Sequence, residues 1–322
     1  MPMPPLLNDW LSLMAALWHW FAGGNPYGAY PGLDGQVYAA GYYGYPPPTL
    51  ILAAPLALLP WWLSGLLVQA GAIVGFDRWA RRVTGRSQLA WLVLFPPLFQ
   101  GLLIGQTTLL VLVALMFAEL SYREGRDTRA GLLLALAILK PQVGILAIGY
   151  LLFEGLRAGR WRVPGAFALA SALLWGGTAL LAGPQIYAQW LDGLRAYSAS
   201  LPDRPMVFLP LGPLVVLAAV TLWRRADGDT FTLALLLNTL IYPLSVLYIV
   251  SAVGFVVIRW RRDAQVWPLA LCWLAPAVFA RLPATLDMWI ASIQVVVICA
   301  LVVGLLPPLH WRAGQGQGSV AG

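Results

Sequence analysis

Apolar stretches recur along this chain from Leu50 to His310, each bounded by arginine clusters or by glycine, proline and aromatic residues, with no soluble domain between them. A helix needs about 20 residues to cross the roughly 30 Å hydrocarbon core of a bilayer. Residues 88–120, 129–157 and 230–258 are long for one pass and short for two. Each is broken near its middle, by Gly105 and Gln106, by Lys140 and Pro141, and by Tyr242 and Pro243. The pattern predicts short helical hairpins with those pairs at their tips. Nearer the start, Asp9 opens the segment DWLSLMAALWHWFAGGNPY. It predicts an interfacial helix capped by Asp9, ended by Gly23 and Gly24 and followed by a turn at Asn25, Pro26 and Tyr27. An aromatic loop comes next, then YPPPTLILAAPLALLP, whose three consecutive prolines stiffen the entry to a membrane helix.

Composition sets the solvent. Sixty per cent of the 322 residues are hydrophobic and 10% are charged, with a mean hydropathy of +0.75, far from the usual soluble balance of about 25% charged residues. The expectation is an all-α, polytopic integral membrane protein. A net charge of +7 would suggest nucleic acid in a soluble protein. Here the arginines sit in short loops beside apolar segments and act as topology signals, so no nucleic-acid partner is expected.

Those charges favour hairpins. With hairpins, the loops at 77–86, 119–129, 154–162, 224–229 and 259–263 share one side with the C-terminus, and that side carries sixteen arginines against eight acids. The other side carries Arg195, Arg204, Arg281 and Lys140 against Asp9, Asp34, Asp192, Asp203 and Asp287. Single passes would alternate basic loops between the two sides, contrary to the positive-inside rule. The expected arrangement has about 11 crossings, an outward-facing N-terminal loop over residues 1–47 and a transmembrane helical domain over 48–322, in which the hairpin tips and a loop over 184–206 complete the outward face. The C-terminus is cytoplasmic and the location is the plasma membrane. An odd number of crossings places the N-terminus outside, and MPMPPLLNDW carries no export signal, so a further helix preceding Met1 is expected.

Candidate chemistry is sparse. Lys140 is the one lysine among 20 basic residues and stands inside the otherwise uncharged run AGLLLALAILKPQVGILAIGYLLF. A cation at hydrocarbon depth costs several kcal/mol unless it faces a polar cavity, pairs with an anion or snorkels to the interface. Lys140 therefore reads either as an anion-binding residue or as an interface anchor. Gln106 and Gln142, at tips on the same face, bind sugar hydroxyls or satisfy backbone freed by the helix breaks. Trp18, Trp20, Tyr27, Tyr30, Tyr38, Tyr42, Tyr43 and Tyr45 read as an interfacial aromatic belt or as a platform for a sugar. Arg195 and Arg204 read as phosphate ligands or as an ordinary solvated loop, with Asp192 and Asp203 close by. Cys272 and Cys299 lie in apolar segments without metal-ligand spacing, and no His or Asp cluster, Walker or dinucleotide glycine pattern is present. No metal and no cofactor are expected.

The aromatic N-terminal segment, the proline-rich entry, LFPPLFQGLLIGQTTLL, GRDTRAGLLLALAILKPQ and GPQIYAQWLDGL stand in that order. Together they resemble glycosyltransferase family 87, the polyprenol-phosphate-mannose-dependent mannosyltransferases of the GT-C superfamily, from Asp9 to about Leu194. The resemblance implies a multi-helix membrane enzyme that takes a sugar from a lipid-linked phosphate at the outer face. Its acceptor would be a glycolipid or glycan. It also implies that Asp9, at the acidic position of the first outward loop, is the catalytic base, and that a first helix lies just upstream. Two positions depart from the pattern: Thr107 or Thr108 stands where the family usually has Asn, and Ile249 where an acid is expected.

Glycosyl transfer from a sugar phosphate passes through an oxocarbenium-like state and needs a carboxylate to deprotonate the acceptor and a cation to hold the departing phosphate. Asp9 and Lys140 fit those roles, with Gln106, Gln142, Tyr45, Arg195 and Arg204 as substrate-binding candidates. An ordinary helix N-cap is the other reading of Asp9. Two competing functions remain: a transporter or flippase for lipid-linked sugars, and a non-catalytic or truncated member of the same family.

Overall fold

The computed structural model describes residues 6–200, 204–226, 228–243, 246–279, 281 and 285–307. The described residues are mostly helical and, among them, the one sheet is a two-stranded antiparallel hairpin, Tyr30–Pro31 with Val37–Tyr38, turning at Asp34 and Gly35. In the N-terminal region, helix α1 (Asn8–Phe21) buries Trp10 through Leu17, and α2 (Pro48–Ala53) runs into a 3-10 turn at Ala54–Leu58. The long α3 (Trp61–Thr84) starts behind Pro60 and stops at Gly85, whose φ is +76°. These elements enclose a small aromatic core in which Tyr27, Tyr30 and Tyr43 are fully buried. Most of the tyrosines read as belt or platform are thus packing residues.

Of the remaining helices, all but Gln185–Ser200, whose Ile186 joins the aromatic core, border a second, larger core. The remaining helices are α4 (Ala90–Leu94), α5 (Pro96–Leu103), α6 (Thr108–Arg123), α7 (Asp127–Ala137), α8 (Ile145–Arg157) and α9 (Arg162–Ala182), then α10 (Gln185–Ser200), α11 (Gly212–Arg225), α12 (Thr230–Ile241), α13 (Ser251–Trp260), α14 (Leu274–Phe279) and α15 (Leu286–Leu305). The expected breaks are present. Helix α5 meets α6 at a 117° bend across Gly105 and Gln106. Lys140 and Pro141 part α7 from α8, and Tyr242 and Pro243 part α12 from α13.

One expectation needs correction: residues 184–206, read as an outward loop, contain the 16-residue helix α10. Length and composition support fewer crossings than the expected count. Among the described residues α9 and α15 are long and apolar enough to cross a membrane, and up to 4 spans result if each bent pair is one. The hairpin halves are short because proline and glycine interrupt them. Helices α7 and α12, of 11 and 12 residues, reach about 16–18 Å at 1.5 Å per residue, little more than half a bilayer core. The proline-rich entry behaves likewise: Pro55 and Pro60 cut the apolar run into short pieces, and α3 follows at 115°.

Basic ends cluster. Helices α3, α6, α8, α11 and α13 all carry arginine in the last turn, where a cation complements the helix dipole. Their ends are tied together. Arg82 reaches Glu124 at 3.2 Å, Arg160 pairs with Asp127, and Arg259 joins Glu119 at 2.6 Å to Asp229 at 2.7 Å. Arg86 donates to the carbonyls of Arg262 and Ala264 at 3.0 and 3.1 Å. The five basic loops grouped by charge therefore form one face.

Candidate active site

Helix α1 begins against the end of α5. The amides of Leu7 and Asp9 donate to the carbonyls of Leu103 and Ile104, each at 2.8 Å, so donors that a helix N-terminus leaves orphaned are met by another helix. This approach needs Gly105. Its φ is +75°, and a Cβ there would lie 2.8 Å from Trp10 Cβ and 3.2 Å from Leu7 Cα. Asp9 falls in the first turn and makes no N-cap; the cap position is Leu7, at a left-handed φ of 59°.

The Asp9 carboxylate faces the first hairpin tip. Gln106 Nε2 donates to Asp9 Oδ2, and Lys140 Nζ donates to Gln106 Oε1. The Tyr45 hydroxyl donates to the same Oε1 at 2.8 Å and lies 3.4 Å from both Lys140 Nζ and Thr107 Oγ1. Lys140 is 3% exposed, and its ammonium lies over the rings of Tyr45 and Tyr248, 5.0 and 5.2 Å from their centroids. It is held inside the protein and does not reach outward. Asp9 lies outside every candidate span. Burial raises its carboxyl above the ordinary carboxylate range, opposed by the Gln106 hydrogen bond and the Lys140 charge.

These groups form one wall of a cavity of about 710 Å³, within the range of small-molecule sites, about 300–1,000 Å³. Tyr45, Gln106, Gln142 and Arg195 line it with Asp9 and Lys140. Arg195 is exposed at the rim and pairs with Asp192 at 2.7 Å. Arg204 is not in the lining; it meets Asp287 at 2.5 Å. Asp203 lies outside the described residues. Gln142 lines the cavity, and its backbone carbonyl accepts from Asn238 Nδ2 at 2.9 Å. The backbone opened by the second break is thus satisfied from α12, since Asn238 Oδ1 also accepts the Leu146 amide at 3.2 Å.

Sequence reasoning missed the far wall. Trp190, Leu194, Tyr197 and Ser198 of α10 line it, on a segment read as loop. Trp190 Nε1 donates to the Gly44 carbonyl at 3.3 Å, and Gly41 and Gly193 allow the loop and helix to touch. Tyr248 also faces the cavity, whereas its neighbour Ile249, the position of the expected acid, is buried in the core. Among the described residues no group of three or more His, Cys, Asp or Glu side chains is placed to hold a metal.

A second, apolar groove of about 380 Å³ shares Tyr45 and Lys140 with the cavity and continues along α6 and α7 past Leu110, Ala114, Phe117, Leu133 and Leu136.

The helical fold with its apolar helices is compatible with a membrane protein, and the cavity has the size and polar lining of a small-molecule site. Residues 43–279 match the sequence profile of glycosyltransferase family 87, and the chain belongs to that family. No curated protein and no solved structure matches the chain. The matched range includes Tyr45, Gln106, Lys140, Gln142, Arg195 and Arg204; Asp9 precedes it.

Proposed function

We propose that this chain is a membrane glycosyltransferase moving a hexose, mannose in keeping with its family resemblance, from a polyprenyl-phosphate-linked donor to a hydroxyl of a glycolipid or glycan at the outer membrane face. One observation carries the reading. A carboxylate and the chain's one lysine ammonium share one cavity wall, and Tyr45, Leu139 and Lys140 also line a neighbouring apolar groove. A lipid phosphate has the matching chemistry: an anion for Lys140 and a hydrocarbon tail for the groove lined by α2, α6 and α7.

In this reading Asp9 takes the proton of the acceptor hydroxyl as its oxygen bonds to the anomeric carbon. The bond from that carbon to the phosphate oxygen breaks in the same displacement, and its electron pair leaves with the phosphate. Lys140 stabilises the charge growing there, an electrostatic contribution that strengthens in a site from which water is excluded. The hairpin tips and Asp9 face outward, and the arginine face and C-terminus are cytoplasmic, as the excess of arginine on that face supports.

The test is transfer of radiolabelled mannose from polyprenyl phosphate by the purified chain, with donor binding measured separately. Asp9→Asn is expected to bind donor nearly as wild type while turnover falls by about 10² or more. Because burial raises the Asp9 carboxyl, wild-type turnover declines on acidification above the ordinary carboxylate range, as the base form is lost. Full turnover in Asp9→Asn removes Asp9 as the base.

A further inference from the structure

Among the described residues Gln106 is the one bridge between the Asp9 carboxylate and the Lys140 ammonium, and chemistry fixes which way its side-chain amide faces. Lysine only donates and an ionised carboxylate only accepts, so the amide nitrogen must face Asp9 and the oxygen Lys140, as it does. Among the described residues no direct ion pair joins Asp9 to Lys140. Opposite charges this close attract strongly in a cavity of low dielectric. If they closed on each other, the carboxylate would lose basicity and the ammonium would be unavailable to an incoming anion.

Gln106 is anchored as a spacer would need to be. It is 5% exposed. Its amide N–H donates to the Gly101 carbonyl at 2.8 Å, and its own carbonyl accepts from Gln69 Nε2 at 3.2 Å. Tyr45 adds a second donor to the side-chain oxygen at 2.8 Å. Tyr45 is held in turn, for its carbonyl accepts from the buried Tyr27 hydroxyl at 3.1 Å. The charged partners are anchored independently, Asp9 through its amide on Ile104 and Lys140 through its amide on Ala137 at 3.1 Å.

We propose that Gln106 is a positioning residue that keeps the Asp9 carboxylate and the Lys140 ammonium from closing into a direct ion pair, so that both stay available to substrate. The inference rests on the roles given to Asp9 and Lys140 under the proposed function. It departs from the reading of Gln106 as a sugar ligand or a backbone partner.

Lys140 is the only lysine in the chain, which makes a test possible without any substrate. The pH dependence of its acylation by an amine reagent, read as modified Lys140 peptide by mass spectrometry, reports its protonation in the full-length protein. The N-terminal amine is resolved as a separate peptide. Other titratable or charged groups facing this pair are Tyr42, Tyr45, Tyr197, Tyr248 and Arg195, and all remain in place in every variant. Gln106→Met keeps the volume and removes the amide. If the spacer is real, Asp9 then pairs with Lys140, the ammonium titrates about one pH unit higher, and labelling near neutral pH slows about tenfold. Adding Asp9→Asn to Gln106→Met must restore the rate, which separates pairing from a change in cavity access. Gln106→Leu serves the same comparison if Gln106→Met does not fold. Equal labelling of the single and double variants overturns the spacer role. That result leaves the function intact, whereas an active Asp9→Asn enzyme removes the base with no bearing on the labelling comparison.

Discussion

Lys140 shows how one buried charge organises a site. An unpaired ammonium in a protein interior costs several kcal/mol after relaxation, and here the cost is offset by an amide oxygen, a phenol and two aromatic faces. None of these is anionic, so the cation keeps the capacity to bind an anion entering the cavity. Replacing it separates charge from shape. Lys140→Gln is expected to weaken binding of the proposed polyprenyl-phosphate donor by about 10-fold to 100-fold, the scale of one charge-assisted hydrogen bond. Lys140→Arg keeps the charge but substitutes a planar fork for a compact ammonium between two rings, and is expected to rescue binding poorly. Titration calorimetry of the two variants in detergent decides the matter. Wild-type affinity in Lys140→Gln would return this lysine to a purely structural role.

At the scale of elements, the fold depends on breaks in its helices and on distant amides that repair them. Gln69 of α3 supports the first break at the Gln106 carbonyl. Asn238 of α12 supports the second at Leu146 and Gln142. Gln294 of α15 donates to the carbonyls of Met206 and Phe208 and accepts the Leu211 amide at 2.9 Å. Backbone left open in an apolar setting must find such partners. Asn238→Leu strands two part-buried backbone groups and is expected to cost about 1 kcal/mol, measurable as a lower denaturation midpoint in detergent. Because the stranded groups hold the turn that presents Lys140 and Gln142, donor affinity should fall as well. Wild-type stability and affinity would show that the turn holds itself. The breaks were legible in the sequence, since Gly105, Pro141 and Pro243 announce themselves locally. Their repair was not, because Asn238 lies 92 and 96 residues from its partners and no local pattern encodes such a pairing. Two further elements escaped although they carried local signals. Helix α10 has apolar residues at helical spacing, Ile186, Trp190, Leu194 and Tyr197, and the Asp34 and Gly35 turn was a readable hairpin signal, but both lie in segments taken as loop.

On the scale of the molecule, the cavity and the arginine face stand at opposite ends of the same helices. Helix α6 starts two residues after Gln106 and ends at Arg123, and α12 runs from the Asp229 and Arg259 ion pair to Tyr242 at the cavity. At 1.5 Å per residue, α12 and α6, of 12 and 16 residues, place the two ends about 18–24 Å apart. The arginine end is closed by ion pairs, including the buried Arg259 with Glu119, and the cavity end opens past the exposed Arg195 and Ser198 of α10. The basic loops grouped by charge also meet in space, so the arginine asymmetry predicts which end faces the cytoplasm. The measurement is labelling by a membrane-impermeant maleimide in intact cells, in a chain whose two cysteines, Cys272 and Cys299, are replaced by serine. Cysteines placed at the exposed Ser198 and Ala199 are expected to react at once. Those placed at the exposed Thr128 and Ala158, in the basic loops, should react only after the membrane is permeabilised. Labelling of Thr128→Cys in intact cells would reverse the orientation, put the cavity on the cytoplasmic side and exclude an acceptor at the outer face.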